Sequence, residues 1–530
     1  MWDIIRERLT NGDIAGARLL IDREKDRLEA YDDIFACLDA GVCEAEQDRK
    51  GMFDAVAKGL RHNPQNYELY YLLGRFYFHS QPDQAFLCLQ NALYYCHCPE
   101  DADIIRSEME SLAQSYDITV NDVAIIIPTY NADYLLQKNI ESIRDTLPAD
   151  SYKIIVVDNA SQDGTVGWLA EQEDIMVVLN EENRGFSCAC NQGAAATVGT
   201  QAEESDIFLL NNDTRLSLNS LFWLRMGLYE DQSIGAVGSC SNYAGNEQQI
   251  EVTFPLPGEY LEYGAERNVP LVRSCEERVR LSGFAMLVKR RVWNDVGGMD
   301  EAFTPGYFED DDLCMRIQQR GFRLLYCKNS FIYHAGSQSF SREESVNDLL
   351  LQHHEMFIRK YAFDILEHAS PNRILPLQIP YPEDYEFNIL QIECGLGADL
   401  KLLRSIYPNS HAIGIEQRLA LRRIAGCTEA VFESVSQLRE VLGGPVFDVL
   451  VISPEAAGRL SDKDKEFLAR MCKREHKIIS GRSPYEEVPF GEIKLIVWDL
   501  DDTFWKGTLS EENVTLIQSN IQLVKAAADR

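Results

Sequence analysis

The sequence predicts an α/β protein with an all-α region ahead of its main sheet and a smaller α/β unit behind it. Three observations predict this. Residues 1–117 place apolar side chains at helical spacing without a convincing strand, four apolar runs alternate with helical patterns between Asp122 and Asn211, and a second strand-and-glycine pattern opens at Asn388.

In the first stretch Ile14, Ala17, Leu20 and Ile21, then Leu28, Tyr31, Ile34 and Leu38, recur at helical periods, with connectors at Asn11-Gly12-Asp13 and His62-Asn63-Pro64. Short antiparallel helices are expected. Between Asn66 and Pro99, Tyr70, Leu73, Gly74 and Tyr77 followed by Ala85, Leu89 and Ala92 resemble one tetratricopeptide repeat with a turn one residue short. A generic helical bundle is the plainer alternative. Either way residues 1–117 are expected to hold a protein partner or a second copy of the chain.

At Asp122 the texture changes. Val123 to Pro128, Lys153 to Asp158, Ile175 to Asn180 and Ile207 to Asn211 read as buried parallel strands, with helices over 134–146 and 165–173 between them. An amphipathic helix is predicted near Glu343 to His368, a linker over 371–382, and a third α/β unit from Asn388. A further strand over 493–499 opens something unfinished at Arg530. Domain limits follow at 1–117, 118–345, 346–382, 383–488 and 489–530.

Composition narrows the function. A chain of 530 residues with 84 acidic and 51 basic side chains carries a formal charge of −33, which argues against nucleic-acid binding or docking on anionic lipid. No apolar stretch suggests a signal peptide or a transmembrane segment. The fourteen cysteines form no C-x-x-C pair, and read as reduced thiols of a cytoplasmic protein.

The chemistry gathers at the strand ends. Pro128-Thr129-Tyr130-Asn131, Asp158-Asn159 with Asp163, Asn183-Arg184-Gly185 and Asn211-Asn212-Asp213 end successive strands, where open α/β sheets bind ligands. A rim of carboxylates and amides suits a ribose, a base edge and a metal-bridged diphosphate. Taken singly, Asp158 or Asp213 reads as a turn former or helix cap, Glu309 to Asp312 as a solvated acidic turn, and His334 as a structural histidine. Their order along the chain changes that reading.

From Asp122 to Ser341, under half the chain, these segments resemble the family 2 glycosyltransferases of GT-A (Rossmann-like) fold, in the branch similar to bacterial rhamnosyl and related sugar transferases. Ser282 to Leu287, Val296 to Phe303, Tyr307 to Arg316 and Tyr333 to Ser337 continue the family's order. The resemblance implies a metal-dependent inverting glycosyltransferase. Its donor would be a UDP- or dTDP-linked sugar, its metal Mn²⁺ or Mg²⁺, and its acceptor a hydroxyl of a glycan, a lipid-linked molecule or a protein, in bacterial surface glycan or glycoprotein synthesis.

It also implies roles. Pro128, Thr129, Tyr130, Asn131, Asp158, Asn159, Asp163, Asn183, Arg184, Gly185, Asn211 and Asn212 would line the donor nucleotide, with Asp158 accepting from the base. Asn211 stands where the family's D-x-D motif has its first acid, leaving Asp213 and His334 for the metal. Asp310 would be the base, beside Glu309; among Asp310, Asp311 and Asp312 the sequence itself does not choose. A sugar hydroxyl needs such a carboxylate to take its proton, and a diphosphate leaves readily only when a cation neutralises it.

Two rivals stand beside this reading. One is a non-catalytic scaffold of a glycan-assembly complex. The other is a nucleotidyltransferase, which would be expected to open with a Gly- and Lys/Arg-rich triphosphate loop. Farther on, Ile389 to Gly397 and Ala412 to Glu416 resemble the opening of S-adenosylmethionine-dependent methyltransferases, with Gln391 and Glu393 out of pattern, so a degenerate Rossmann-like unit is expected. Asp499-Leu500-Asp501-Asp502-Thr503 resembles the first motif of haloacid dehalogenases, with too little chain after it for the remaining motifs. The expected location is cytoplasmic, with peripheral attachment to the inner membrane face through partners.

Overall fold

The computed structural model describes residues 2–25, 31–149, 151–336, 344–480, 505–506 and 515–516. In the first region, helices Trp2–Thr10, Ile14–Lys25, Asp33–Ala45, Arg49–His62, Tyr67–Tyr77, Pro82–Tyr95 and Pro99–Ser115 follow one another without an intervening strand among the described residues. Asp32, Asp48 and Asn66 cap three of them through their side chains, and proline opens two more. Gly74 lets neighbouring helices close in, since a Cβ there would stand 3.0 Å from Leu89 Cδ2.

The face of Pro82–Tyr95 lies on the next domain rather than open to a partner. Gln84 Nε2 donates to the Met226 carbonyl at 2.7 Å and Tyr95 Oη to Asn219 Oδ1 at 2.9 Å, while Tyr70 meets Phe222 edge-on.

The second domain is built on a nine-stranded sheet. Its strands are β1 (Val123–Thr129), β2 (Tyr152–Asp158), β3 (Ile175–Leu179), β4 (Asp206–Leu210), β5 (Thr214–Leu216), β6 (Ile234–Cys240), β7 (Cys275–Arg278), β8 (Ala285–Val288) and β9 (Arg323–His334). They lie in the order β3-β2-β1-β4-β8-β6-β9-β5, with β7 also on β9. The first four are parallel, β8 runs antiparallel between β4 and β6, and β6 and β9 are parallel. Every residue of β1, β4 and β6 is buried, as expected of strands covered on both faces.

The helix predicted over 343–368 is two helices, Glu344–Tyr361 and Ile365–His368. Ala362 takes a left-handed φ of 62° and Asp364 caps the second helix, so hydrophobic periodicity runs through a backbone break. Residues 371–382, expected as a linker, are packed: Leu375 is fully buried with Phe387, Leu403 and Tyr407. Beyond them β10 (Asn388–Ile392), β11 (His411–Ile415), β12 (Ala430–Phe432), β13 (Phe447–Ile452) and β14 (Cys472–Ser480) form a parallel sheet, ordered β12-β11-β10-β13-β14. The dehalogenase-like Asp499 to Thr503 falls outside the described residues.

An ionic cluster joins the third unit to the second domain. Lys401, fully buried, meets Glu277 at 3.2 Å and Glu429 at 2.9 Å, and Arg404 and Arg323 also contact Glu277. Against the desolvation that opposes its ionisation, Lys401, Arg404 and Arg323 hold Glu277 below the usual carboxylate range. Removing one partner of a buried pair leaves charge uncompensated. Lys401→Met is therefore expected to cost about 3–5 kcal/mol, read as an earlier urea transition by circular dichroism.

Candidate active site

Pairing within the sheet brings together residues expected at the donor nucleotide. Thr129 and Asp158 are direct register partners at the ends of β1 and β2. The Thr129 hydroxyl accepts from Asn212 Nδ2 at 2.9 Å, joining β1 to the loop after β4. Asn131, left-handed at φ 48°, donates its N–H to Ser161 Oγ at 2.8 Å and accepts from Gln162 N at 2.7 Å, tying together the loops after β1 and β2.

Asp158 is buried. One carboxylate oxygen accepts from Ser161 N at 2.9 Å; the other has no partner. A buried acceptor without a donor costs about 1–3 kcal/mol, so this oxygen is suited to an N–H brought by a ligand. Asn159 bridges onward, accepting from Asn180 Nδ2 at 2.8 Å and donating to the Gly185 carbonyl at 3.3 Å.

The Asp163 carboxylate accepts from the Thr165 hydroxyl at 2.6 Å and from Asp133 N at 3.1 Å, so it braces two helix starts. Although desolvation opposes it, hydrogen bonds from Thr165 hold Asp163 below its ordinary value. Asn183 accepts from Gly185 N at 3.0 Å, and Arg184 is exposed at the start of helix Gly185–Ala196. Gly185 has φ 77°, and a Cβ there would lie 2.6 Å from Thr304 Cγ2, so only glycine fits the turn. Tyr130 is exposed on the same rim.

Asp213 and His334 meet although 121 positions separate them, because β5 pairs antiparallel with β9. Asp213 Oδ1 lies 3.1 Å from His334 Nε2, and both side chains are buried. His334 Nδ1 faces the Tyr243 carbonyl at 2.7 Å, and since a carbonyl only accepts, Nδ1 carries the hydrogen. In the neutral ring Nε2 then presents its lone pair to a carboxylate. Two acceptors this close call for a shared proton or a cation.

The donor set fits a small divalent ion. Ligands at about 2.1 Å in adjacent octahedral positions stand about 3 Å apart, close to the observed separation. Among the described residues no third His, Cys, Asp or Glu joins the pair. Asn211 contributes backbone instead: its N–H donates to the Phe284 carbonyl at 2.8 Å, and its carbonyl accepts from the Thr214 hydroxyl at 2.7 Å.

Helix Glu309–Gln319 distinguishes the four acids of its first turn. Asp312 is wholly buried against Arg316, Lys360 and the Tyr361 hydroxyl, a structural assignment. Asp311 faces Arg280 at 3.5 Å, and burial together with the Asp310 charge pushes it up to about 7. Asp310 Oδ2 accepts from Gly283 N at 3.0 Å and its Oδ1 from Asp311 N at 2.8 Å. Glu309 Oε2 is buried without a partner. Burial raises both Glu309 and Asp310, and the Asp310 charge raises Glu309 further. The two N–H donors favour charge on Asp310 rather than Glu309.

One chain of contacts unites the sides. From Asp158 it passes through Thr129 and Asn212 to Asp213 and His334; the His334 ring stacks on Phe284 at 5.2 Å and 8°, and the neighbouring Gly283 holds Asp310. The sequence pattern includes Phe284 without a role for it, and gives no sign of Asn242, Tyr243 and Arg280. These contact the site from remote loops, and no local spacing announces them. Ser337, at the end of the last motif, lies outside the described residues.

Parts of the chain are similar to known proteins. Residues 124–275 match the Glycosyl transferase family 2 model. The sheet is that of a GT-A domain, as the motifs implied; the matched stretch includes Asp158 and Asp213 and stops before Asp310 and His334. An uncharacterised protein of Sinorhizobium fredii, y4gI, is 25% identical over 42% of this chain and 25% of its own length. Glycosyltransferase AglE of Haloferax volcanii is 27% identical over 39% of this chain and 65% of its own. The chain thus spans between a quarter and about two thirds of the curated relatives it matches. A mannosyltransferase from Pyrobaculum calidifontis, solved with GDP-Man and Mn²⁺, aligns over 73% of this chain and 90% of its own at 17% identity and a TM-score of 0.34.

The carboxyl cluster makes stability depend on pH. Asp311 binds its proton more tightly folded than unfolded, so its contribution is intact below about pH 4 and is lost as pH rises toward 7. Asp311→Asn removes that loss. Its thermal midpoint relative to wild type is expected to climb between pH 4 and 7 and to level off above, measured by differential scanning fluorimetry across that range.

Proposed function

We propose that this chain is a metal-dependent inverting glycosyltransferase that moves a sugar from a UDP- or dTDP-linked donor to a hydroxyl. The observation that carries it is the pairing of Asp213 Oδ1 with a His334 Nε2 held lone-pair-inward; Asp158 at the end of β2 and Asp310 in helix Glu309–Gln319 connect to that pair through Thr129 and Asn212 and through Phe284 and Gly283.

The unpartnered Asp158 oxygen receives an N–H of the base, and the rim from Thr129 to Asn131 with Asn159, Arg184 and Asn212 surrounds the nucleotide. Asp213 and His334 would hold Mn²⁺ or Mg²⁺, which would supply positive charge against that of a departing diphosphate. Asp310, kept ionised by the N–H groups of Gly283 and Asp311, takes the proton of the acceptor hydroxyl as its oxygen attacks the anomeric carbon. Burial raises its basicity above that of a surface carboxylate. A single base opposite the leaving group gives one displacement, hence inversion. Glu309, whose Oε2 has no partner and whose carboxyl burial and the Asp310 charge push upward, lies beside the base.

The acceptor fits a glycan, a lipid-linked molecule or a protein, and bacterial surface glycan or glycoprotein synthesis is the proposed setting. A cytoplasmic location belongs to the same proposal.

A thermal-shift screen tests the reading. UDP or dTDP with Mn²⁺ is expected to raise the wild-type midpoint, through mass action, and to leave Asp213→Ala unmoved. Sugar transfer by Asp213→Ala should fall by at least about 10²-fold, comparable to losing one transition-state charge stabiliser. A flat response to both nucleotides would overturn the proposal.

A further inference from the structure

The loop over 241–249, which follows β6, touches both halves of the site. Asn242 grips the His334 peptide at both ends: Nδ2 donates to its carbonyl at 2.9 Å and Oδ1 accepts its N–H at 3.0 Å. One residue on, the Tyr243 carbonyl fixes the His334 ring. Farther along, Gln248 is fully buried; its Nε2 donates to the Ser239 carbonyl at 2.8 Å and its Oε1 accepts Ser282 N–H at 2.7 Å. Ser282 precedes Gly283, whose N–H holds Asp310.

The loop is itself tightly held. Ser241 N donates to the Gln248 carbonyl, and Ile250 N to the Ser241 carbonyl at 2.8 Å, closing it at its base. Asn246 and Glu247 are both left-handed, at φ 57° and 58°, a conformation that costs energy outside glycine. Glu247 is anchored there by Arg278 at 2.9 Å and by Arg373 at 2.7 Å, and Arg373 belongs to the packed segment ahead of the third unit. Such outlying backbone persists only where its surroundings over-determine it.

We infer that this loop is the bracket that sets the metal pair and the catalytic base at a fixed spacing, with Asn242 positioning His334 and Gln248 positioning Asp310 through the Ser282–Gly283 turn. The inference rests on the proposed transferase reading. Both residues act through others. Asn242 sets the direction of the imidazole lone pair by fixing its backbone, and Gln248 sets where the Gly283 N–H meets the carboxylate.

The two arms are separable by measurement. In Asn242→Ala the Mn²⁺ concentration for half-saturation, read by electron paramagnetic resonance of free Mn²⁺ with UDP or dTDP present, is expected to rise at least tenfold. In Gln248→Leu, similar in volume but unable to hydrogen-bond, Mn²⁺ affinity should stay within twofold while kcat for sugar transfer falls at least tenfold. Gln248→Asn, which keeps an amide with both an acceptor and a donor, should recover part of kcat. Circular dichroism melting identifies any variant that has unfolded, and for such a variant the milder Asn242→Ser or Gln248→Asn takes its place. Unchanged Mn²⁺ affinity in a folded Asn242 variant, or loss of both parameters together in a folded Gln248 variant, would overturn the bracket while leaving a working wild-type transferase. A wild type that binds neither nucleotide nor metal would instead sink the transferase reading.

Discussion

The hydrogen bond from His334 Nδ1 to the Tyr243 carbonyl is the constraint on which the site depends. It decides which imidazole nitrogen carries hydrogen, and so which one is left to face Asp213. A rotation of the ring would turn an N–H toward that carboxylate and replace two facing acceptors with an ordinary donor and acceptor. Phe284 packed flat on the ring and Asn242 on its peptide oppose such a rotation.

Around this point the fold supplies stiffness. The polar strand ends sit on a sheet whose central strands are buried on both faces, so loops anchored to it keep their spacing. Salt links do the same work at the periphery. Glu277 on β7 reaches Lys401 and Arg404 of the third unit, and Glu247 reaches Arg373, so the unit with the off-pattern glycine turn is joined to the sheet that carries the site. Within that unit, Glu416 accepts from Gly395 N and Arg418 N, and Glu393 is paired with Arg459. The two acids are thus engaged by their own chain.

Much of the fold is legible in the sequence. The four parallel strands are readable because a continuous apolar run that stops at Asp or Asn is how a strand buried on both faces ends at a polar loop, and Asp213 is readable from its place after the fourth. The break at Ala362 is not, because amphipathic spacing reports which face is buried and not whether the backbone is continuous. Nor can the acids of 309–312 be told apart, since four carboxylates in one turn differ only in what each meets in space. Arg280, Arg316, Lys360 and the Gly283 N–H draw that distinction.

The amino-acid order alone determined the α/β class, the helical region before it, and which residue types stand at the strand ends, because periodicity and strand termination are local properties of a chain. Tertiary structure decided how those residues work. It placed His334 beside Asp213 through the pairing of β5 with β9, oriented its ring by a loop some ninety positions earlier, and left one oxygen of Asp158 without a donor. Such outcomes depend on register and on contacts between distant segments, which a linear pattern does not encode.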